Sequence, residues 1–238
     1  MGATLELGGV TLAVLKKDIK NVHLSVYPPA GRVSVSAPRR MSLDTIRLFA
    51  IAKLGWIRRQ QRKLREQERE TQRDYVNRES HYVWGRRCLL KVIEEAAAPS
   101  VHLRHGALLL RVRPGTDKEA REAVVSGWYR DILKAEVPPL VEAWESRLNV
   151  RVKKFSVQQM KTKWGSCNPT ARTIRLNTEL AKKPKECLEY LVLHEMAHLQ
   201  ERTHGPRFLA LMDRFMPDWR DTRALLNRLP ARHEQWSY

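Results

Sequence analysis

Cysteine and acidic residues are both scarce in this chain. Its 238 residues include three cysteines, Cys88, Cys167 and Cys187, an odd number with no C-x-x-C pair, so neither a disulfide framework nor a cysteine zinc site is indicated. That usage fits a reducing cytoplasm. Long hydrophobic runs are missing as well. AVVSGWY and CLEYLVLHEMAHL, the most apolar stretches, are short or carry charge, and both fall below the ~18 continuous apolar residues of a membrane span. A soluble, cytoplasmic protein that does not enter a membrane is the expectation. The opening MGATLELGGVTLAVLKKD has no basic segment ahead of its apolar stretch, which Glu6 interrupts, so it lacks the order of an export signal. A myristoylation reading of Gly2 fails because the sixth residue is Glu6, where Ser or Thr is required.

Against 26 acidic residues stand 44 Lys and Arg, giving a formal charge of +18. This excess attracts polyanions such as nucleic acid, nucleotides, acidic proteins or ribosomes, and by itself specifies no chemistry. The densest basic stretch is WIRRQQRKLREQERETQR, residues 56–73, where interleaved glutamates make i,i+4 pairs on an exposed helix. A solvated helical face is the simpler expectation there. A nucleic-acid surface built on Arg58, Arg59, Arg62 and Lys63 is the alternative.

The length suits one large domain or two small ones, and the pattern is α+β. Residues 10–37 alternate apolar and polar positions around a PPAG turn, predicting a β-hairpin. Ser42 is placed to cap a helix with Ile46, Phe49, Ala50, Ala52, Leu54 and Ile57 on its buried side, which the basic stretch continues outward. Between Tyr82 and Val112 short strands are separated by WGRR, AAAPS and RHGA. A long helical segment begins at Asp117 and runs through Val124, Trp128, Ile132 and Leu133, with Pro138-Pro139 as its expected break or restart. Val150 to Gln158 and Thr173 to Asn177 read as strands of a second hairpin-like element that turns near Asn168-Pro169-Thr170. A further helix starts beyond Pro184 and is expected to stop at Gly205-Pro206, where the next begins. No internal repeat is evident. Composition divides the chain near residue 115: a β-rich region with one long basic helix over 1–115, and a C-terminal core over 116–238.

Within LEYLVLHEMAHLQERTHGPRF lies H-E-x-x-H, formed by His194, Glu195 and His198. On a helix, residues i and i+4 share a face, so two imidazoles reach one ion from a rigid backbone. Glu195 is rotated about 100° from His194, which places it beside the ion's open position as a base for the attacking water. A third protein ligand leaves one position for that water, and His204 lies just before the Gly205-Pro206 helix stop, where a turn brings it back. Carboxylates of Asp213, Asp218 or Asp221 are the alternatives, with weaker positional reason. His23, His81, His102, His105 and His233 show no such grouping.

Several segments, in order, carry a family resemblance: VSAPRRMSLDTIRLFAIAKLGWIRRQQRKL, YVWGRRCLLKV, KTKWGSCNPTARTIRLNTEL, LVLHEMAHLQERTHGPRF and the terminal MPDWR. Together they resemble the YgjP-like metallopeptidases, relatives of the SprT-like and other short zincins. The resemblance implies a zincin-like core, with His194, His198 and His204 as ligands of Zn2+ and Glu195 as catalytic acid/base. It places Lys163-Trp164-Gly165-Ser166-Cys167 and Arg175-Leu176-Asn177 on strands beside the active-site helix, where Trp164 and Gly165 are expected chiefly to pack the sheet. Lys163 departs from the usual arginine, so a bidentate guanidinium role is not expected there. The implied activity is peptide-bond hydrolysis. Hydrolysis of nucleoside triphosphates to pyrophosphate, of UTP for example, is the alternative, since water-activating zinc attacks either centre and the positive charge suits a nucleotide. A nucleic-acid-associated protein acting through its basic helix is the third reading.

Overall fold

The computed structural model describes residues 3–27, 31–66, 73–160 and 163–229. The fold is α+β, and the chain separates into two compact units, Met1–Glu70 and Thr71–Leu229. The division suggested by composition near residue 115 therefore falls inside the second unit. The reason is the core: Leu90, Leu108, Leu110 and Val112 are buried in the same cluster as Val125, Tyr129 and the apolar residues around the H-E-x-x-H helix.

In the first unit, β1 (Ala3–Leu7), β2 (Val10–Lys17), β3 (His23–Tyr27) and β4 (Arg32–Pro38) form one sheet in the order β1-β2-β4-β3. The pairs are antiparallel except β2 with β4, which is parallel. Where one hairpin is expected, two form. Gly8 and Gly9, at φ 55° and 78°, make the turn between β1 and β2, conformations that glycine adopts without steric cost. The PPAG turn lies mostly outside the described residues. Leu12, Val14, Val33 and Val35 point inward against α1 (Leu43–Ala52), which Ser42 caps by accepting the Thr45 N–H at 3.1 Å.

The expected single helix breaks at Lys53, and α2 (Leu54–Glu66) restarts it. Ile46, Ala50 and Ile57 are buried, whereas Ala52 is exposed. From α2, Arg58 donates to the Gly8 carbonyl at 2.8 Å and Gln61 donates to the Gly31 carbonyl at 2.9 Å. Arg58, which the alternative nucleic-acid reading includes, is engaged in holding a turn. Arg59 and Arg62 are exposed; residues 67–72 of the basic stretch fall outside the described residues, as does the Lys63 side chain.

The second unit opens with β5 (Ser80–Val83), β6 (Arg86–Glu94), β7 (Ser100–Arg104) and β8 (Ala107–Val112), in the order β5-β6-β8-β7. β6 and β8 are parallel and the other pairs antiparallel, so the strand order and pairing senses of the first sheet recur. Helix α3 (Lys118–Leu148) follows, capped by Asp117. It runs straight through Pro138-Pro139. Each proline removes one backbone donor and costs about 3 kcal/mol in a helix interior. The buried row Val125, Tyr129, Leu133, Val137, Val141, Trp144 and Leu148 offsets that cost. Val124, Trp128 and Ile132 flank this row half-buried.

A three-stranded sheet of β9 (Lys154–Gln158), β10 (Gly165–Asn168) and β11 (Thr173–Asn177) has the order β10-β11-β9. The hairpin partners are β10 and β11, while β9 runs parallel to β11, which corrects the expected pairing of 150–158 with 173–177 as a hairpin. A 3-10 turn at Thr178–Lys182 leads to α4 (Lys185–Ala197), then α5 (Pro206–Phe215) and α6 (Trp219–Arg228). The β5–β6 turn abuts the start of α4: Trp84 and Gly85 donate backbone N–H groups to the Ala181 and Lys182 carbonyls at 2.8 and 3.2 Å. Gly85 has φ 77°, and a Cβ there would lie 2.8 Å from Pro184 Cγ. Among the described residues, no helix is long and apolar enough to cross a membrane.

Candidate metal centre

Helix α4 is buried nearly all round, with Cys187, Leu188, Leu191, Val192, Leu193, Met196 and Ala197 in the core. Such a helix shows little amphipathicity, so polar residues in its last turn stand out. It ends at Ala197, well before the expected stop at Gly205-Pro206, and His198 is its cap. The backbone N–H groups of Leu199, Gln200 and Glu201 return to carbonyls of Met196 and Ala197. The chain then folds back and delivers His204 beside the helix.

His194, His198 and His204 come together with one ring nitrogen each, all within 4.8 Å of one another. The His194 and His204 Nε2 atoms are 3.1 Å apart, within a few tenths of an ångström of the ~3.3 Å between two nitrogens tetrahedrally sharing an ion with bonds of about 2.0–2.1 Å. His198 Nδ1 lies 2.9 Å from the Glu201 carbonyl. Donating its proton there leaves Nε2 as the acceptor atom, the usual arrangement for a ligating imidazole. Phe208, in the first turn of α5 and fully buried, lies under all three rings with centroid separations of 5.0, 4.7 and 4.7 Å. It forms an apolar floor that the spacing of polar residues did not reveal.

Burial, followed by the neighbouring His198, His204 and Arg223, pushes His194 down to about 3. His204 is lowered by burial, His198 and Arg223. Both are therefore neutral near pH 7, the state that binds a metal. Glu195 is 5 % exposed, and burial raises its carboxyl to about 7 against the lowering effect of Lys163. Burial and the Glu195 carboxylate raise the Cys167 thiol to about 11. Tyr190 is raised to about 12, chiefly by burial.

Gly165 on β10 explains how Glu195 fits. A Cβ at this position would lie 2.6 Å from Glu195 Oε1 and 2.9 Å from its Cγ, so only glycine leaves the carboxyl its place. Asn177 holds the segment leading into β10, donating from Nδ2 to the Met160 and Lys163 carbonyls at 2.9 and 2.8 Å. Its backbone N–H also reaches the Trp164 carbonyl at 2.8 Å. Gly165 and Asn177 were legible only as strand motifs; their contacts arise through space. The Lys163 charge acts on Glu195, lowering its carboxyl against the effect of burial.

The carboxylates considered as third ligands lie elsewhere. Asp213 accepts from the Trp219 indole and pairs with Arg220, Asp218 stands at the N-terminus of α6, and Asp221 is in its first turn. His23, His102 and His105 are exposed and His81 is buried beside Glu79; His233 is outside the described residues. Among the described residues, the three-histidine group is the one cluster suited to a metal.

Among solved structures, the chain is similar to the metallopeptidase zymogen jannalysin of Methanocaldococcus jannaschii, at 22 % identity over 38 % of this chain and 93 % of that one, with a TM-score of 0.35. It is also similar to the zymogen of Pyrococcus abyssi abylysin, at 21 % identity over 40 % of this chain and 99 % of that one, with a TM-score of 0.36. No curated protein sequence matches. The pattern of the YgjP-like family, described as a metallopeptidase domain, matches residues 20–229, and the chain belongs to that family.

Proposed function

We propose that this protein is a zinc-dependent peptidase in which His194, His198 and His204 hold the ion and Glu195 is the general base. The observation that carries this reading is three imidazoles with ring nitrogens within 4.8 Å of one another beside a buried carboxyl raised to about 7. The donor set fits zinc, which favours imidazole nitrogen and keeps an open position in catalytic sites with three protein ligands. When bound, zinc supplies Lewis acidity to the attacking water and to the scissile carbonyl.

Glu195 accepts the water proton and returns it to the leaving amine, and a carboxyl raised to about 7 is suited to both transfers near neutral pH. Gly165 and the buried wall around Glu195 keep that carboxyl in one place. Arg223 on α6, whose charge acts on both His194 and His204, offsets negative charge developing on the substrate oxygen. β10 ends its sheet and lies against α4 at Gly165. Its backbone edge suits an extended peptide, which pairs with a strand by main-chain hydrogen bonds.

A second reading, hydrolysis of a nucleoside triphosphate, is favoured by the two cations, Lys163 and Arg223, whose charges act on the centre. Casein and short peptides assayed beside a nucleotide panel, with and without chelator, distinguish the two. Peptide cleavage that is lost on chelation and restored by zinc is the expected result. Glu195→Gln should retain one zinc per chain and lose turnover by roughly 10²–10⁴-fold. Full activity in that variant would refute the role given to Glu195.

A further inference from the structure

The segment Met216-Pro217-Asp218-Trp219-Arg220 leads into α6, and none of its residues belongs to the three-histidine group. A run of contacts nevertheless joins it to His194. Arg220 pairs with the Asp213 carboxylate of α5, and that carboxylate also accepts the Trp219 indole N–H at 2.8 Å. Fixed in this way, the buried Trp219 stacks on Tyr190, with ring planes 5° apart and centroids at 6.4 Å. Tyr190 stands one turn before His194 on α4 and brings its hydroxyl to 3.5 Å from His194 Nδ1.

We infer that the Trp219–Tyr190 stack orients His194 for the metal, with the Tyr190 hydroxyl fixing the ring through Nδ1 and Trp219 holding Tyr190 in place. This rests on the metal reading above. Three imidazoles facing one ion must each present a nitrogen lone pair, and the partner of the other ring nitrogen decides which one is presented. For His198 that partner is the Glu201 carbonyl. For His194, donation of the Nδ1 proton to the Tyr190 oxygen leaves Nε2, the atom 3.1 Å from His204 Nε2, as the lone-pair nitrogen. Without the hydroxyl, the His194 ring can rotate or carry its proton on Nε2, and either change opposes ligation. The indole also avoids leaving a polar group unsatisfied, because its N–H is bonded to Asp213. Tyr190 and Trp219 are therefore positioning residues.

Tyr190→Phe keeps the ring and its stack and removes only the oxygen. Zinc affinity measured by competition with a chromophoric chelator should fall roughly tenfold to a hundredfold, with the melting midpoint of the metal-free protein unchanged. Asp213→Ala removes the acceptor of the Trp219 indole from outside the centre and should lower affinity by a smaller factor in the same direction. Wild-type affinity in Tyr190→Phe overturns the inference, as does a loss of affinity matched by a loss of metal-free stability. Should Tyr190→Phe fail to fold, undiminished zinc affinity in Asp213→Ala overturns it instead. A wild-type chain that takes up no zinc refutes the metal reading and this inference together. Uptake abolished by His194→Ala but untouched by Tyr190→Phe refutes the inference alone.

Discussion

The sheets β1–β4 and β5–β8 share strand order, pairing senses and a following helix, but among the described residues only the second belongs to the core that surrounds the histidine cluster. After β4 the helix stops at Lys53 and resumes as α2, and the pair buries Ile46, Ala50 and Ile57. After β8 it continues for 31 residues and buries seven. Apolar spacing accounts for the difference. α3 keeps a buried residue on nearly every turn from Val125 to Leu148 and packs on α4 and the 3-10 turn before it. Beyond Ile57, α2 has arginines in the corresponding turns, of which Arg58 ties down a β-turn and Arg59 and Arg62 face solvent. The same sheet arrangement joins the core around the histidine cluster where its helix keeps a buried row to its end, and carries exposed arginines where that row gives out after Ile57.

Two cavity-forming variants test this contrast most strongly. Leu133→Ala in α3 and Ile46→Ala in α1 each empty a fully buried position, and each should cost about 2–5 kcal/mol. Calorimetry with and without zinc should show Leu133→Ala lowering the transition that zinc raises, whereas Ile46→Ala lowers a transition that zinc leaves alone. Loss of zinc uptake in Ile46→Ala would break the division of labour.

The next effect concerns pH and belongs to the second unit. Burial raises Glu195 from 4.5 to about 7, so the metal-free fold retains a proton that the unfolded chain releases. The stability gained is complete below the unfolded value and is lost as pH rises through the folded one. His194, pushed down to about 3, has the opposite sign, and the metal-free fold gains stability from it as pH rises toward the unfolded value. Urea unfolding of chelated wild type and Glu195→Gln separates the two. The stability of wild type relative to the variant should fall between pH 5 and 8 by on the order of 2–3 kcal/mol. A constant difference would show that the carboxyl is not desolvated.

The smallest effect lies on α2. Neutralising Arg59 and Arg62 together should leave the melting midpoint of the first unit unchanged and reduce the salt dependence of retention on immobilised DNA by about two in the log–log slope. Arg58→Gln should instead lower the midpoint, because it removes the bond to Gly8. An unchanged slope in the double variant would assign the exposed arginines to solvation alone.

Features decided locally were legible in the sequence. Ser42 and Asp117 cap helices because a side-chain oxygen meets an N–H three residues on, and the alternation in β5–β8 needs only period two. The pairing of His194 with His198 follows from one helical turn. Features set by non-local burial were not. The parallel partners β2/β4, β6/β8 and β9/β11 join segments whose pairing leaves no local mark. The propriety of Pro138-Pro139 inside α3 depends on the core it packs against, and the roles of Gly165 and Phe208 depend on Glu195 and the histidine rings reaching them through space. The recurrence of one strand order in two sheets is likewise topological, with no matching sequence repeat.

The β5–β6 turn carries a mechanical consequence. α4 is buried along its length, so it can yield to a push mainly by sliding along its own axis. Pro184, at its head, has its Cγ only 2.8 Å from where a Cβ on residue 85 would go. At about 1.5 Å per residue, His194 lies ~15 Å down the same rod. A side chain at residue 85 would therefore press on the head of the helix that carries His194 and Glu195, and glycine spares it that push. The room that α4 needs at its head is thus kept by a glycine more than a hundred residues before His194.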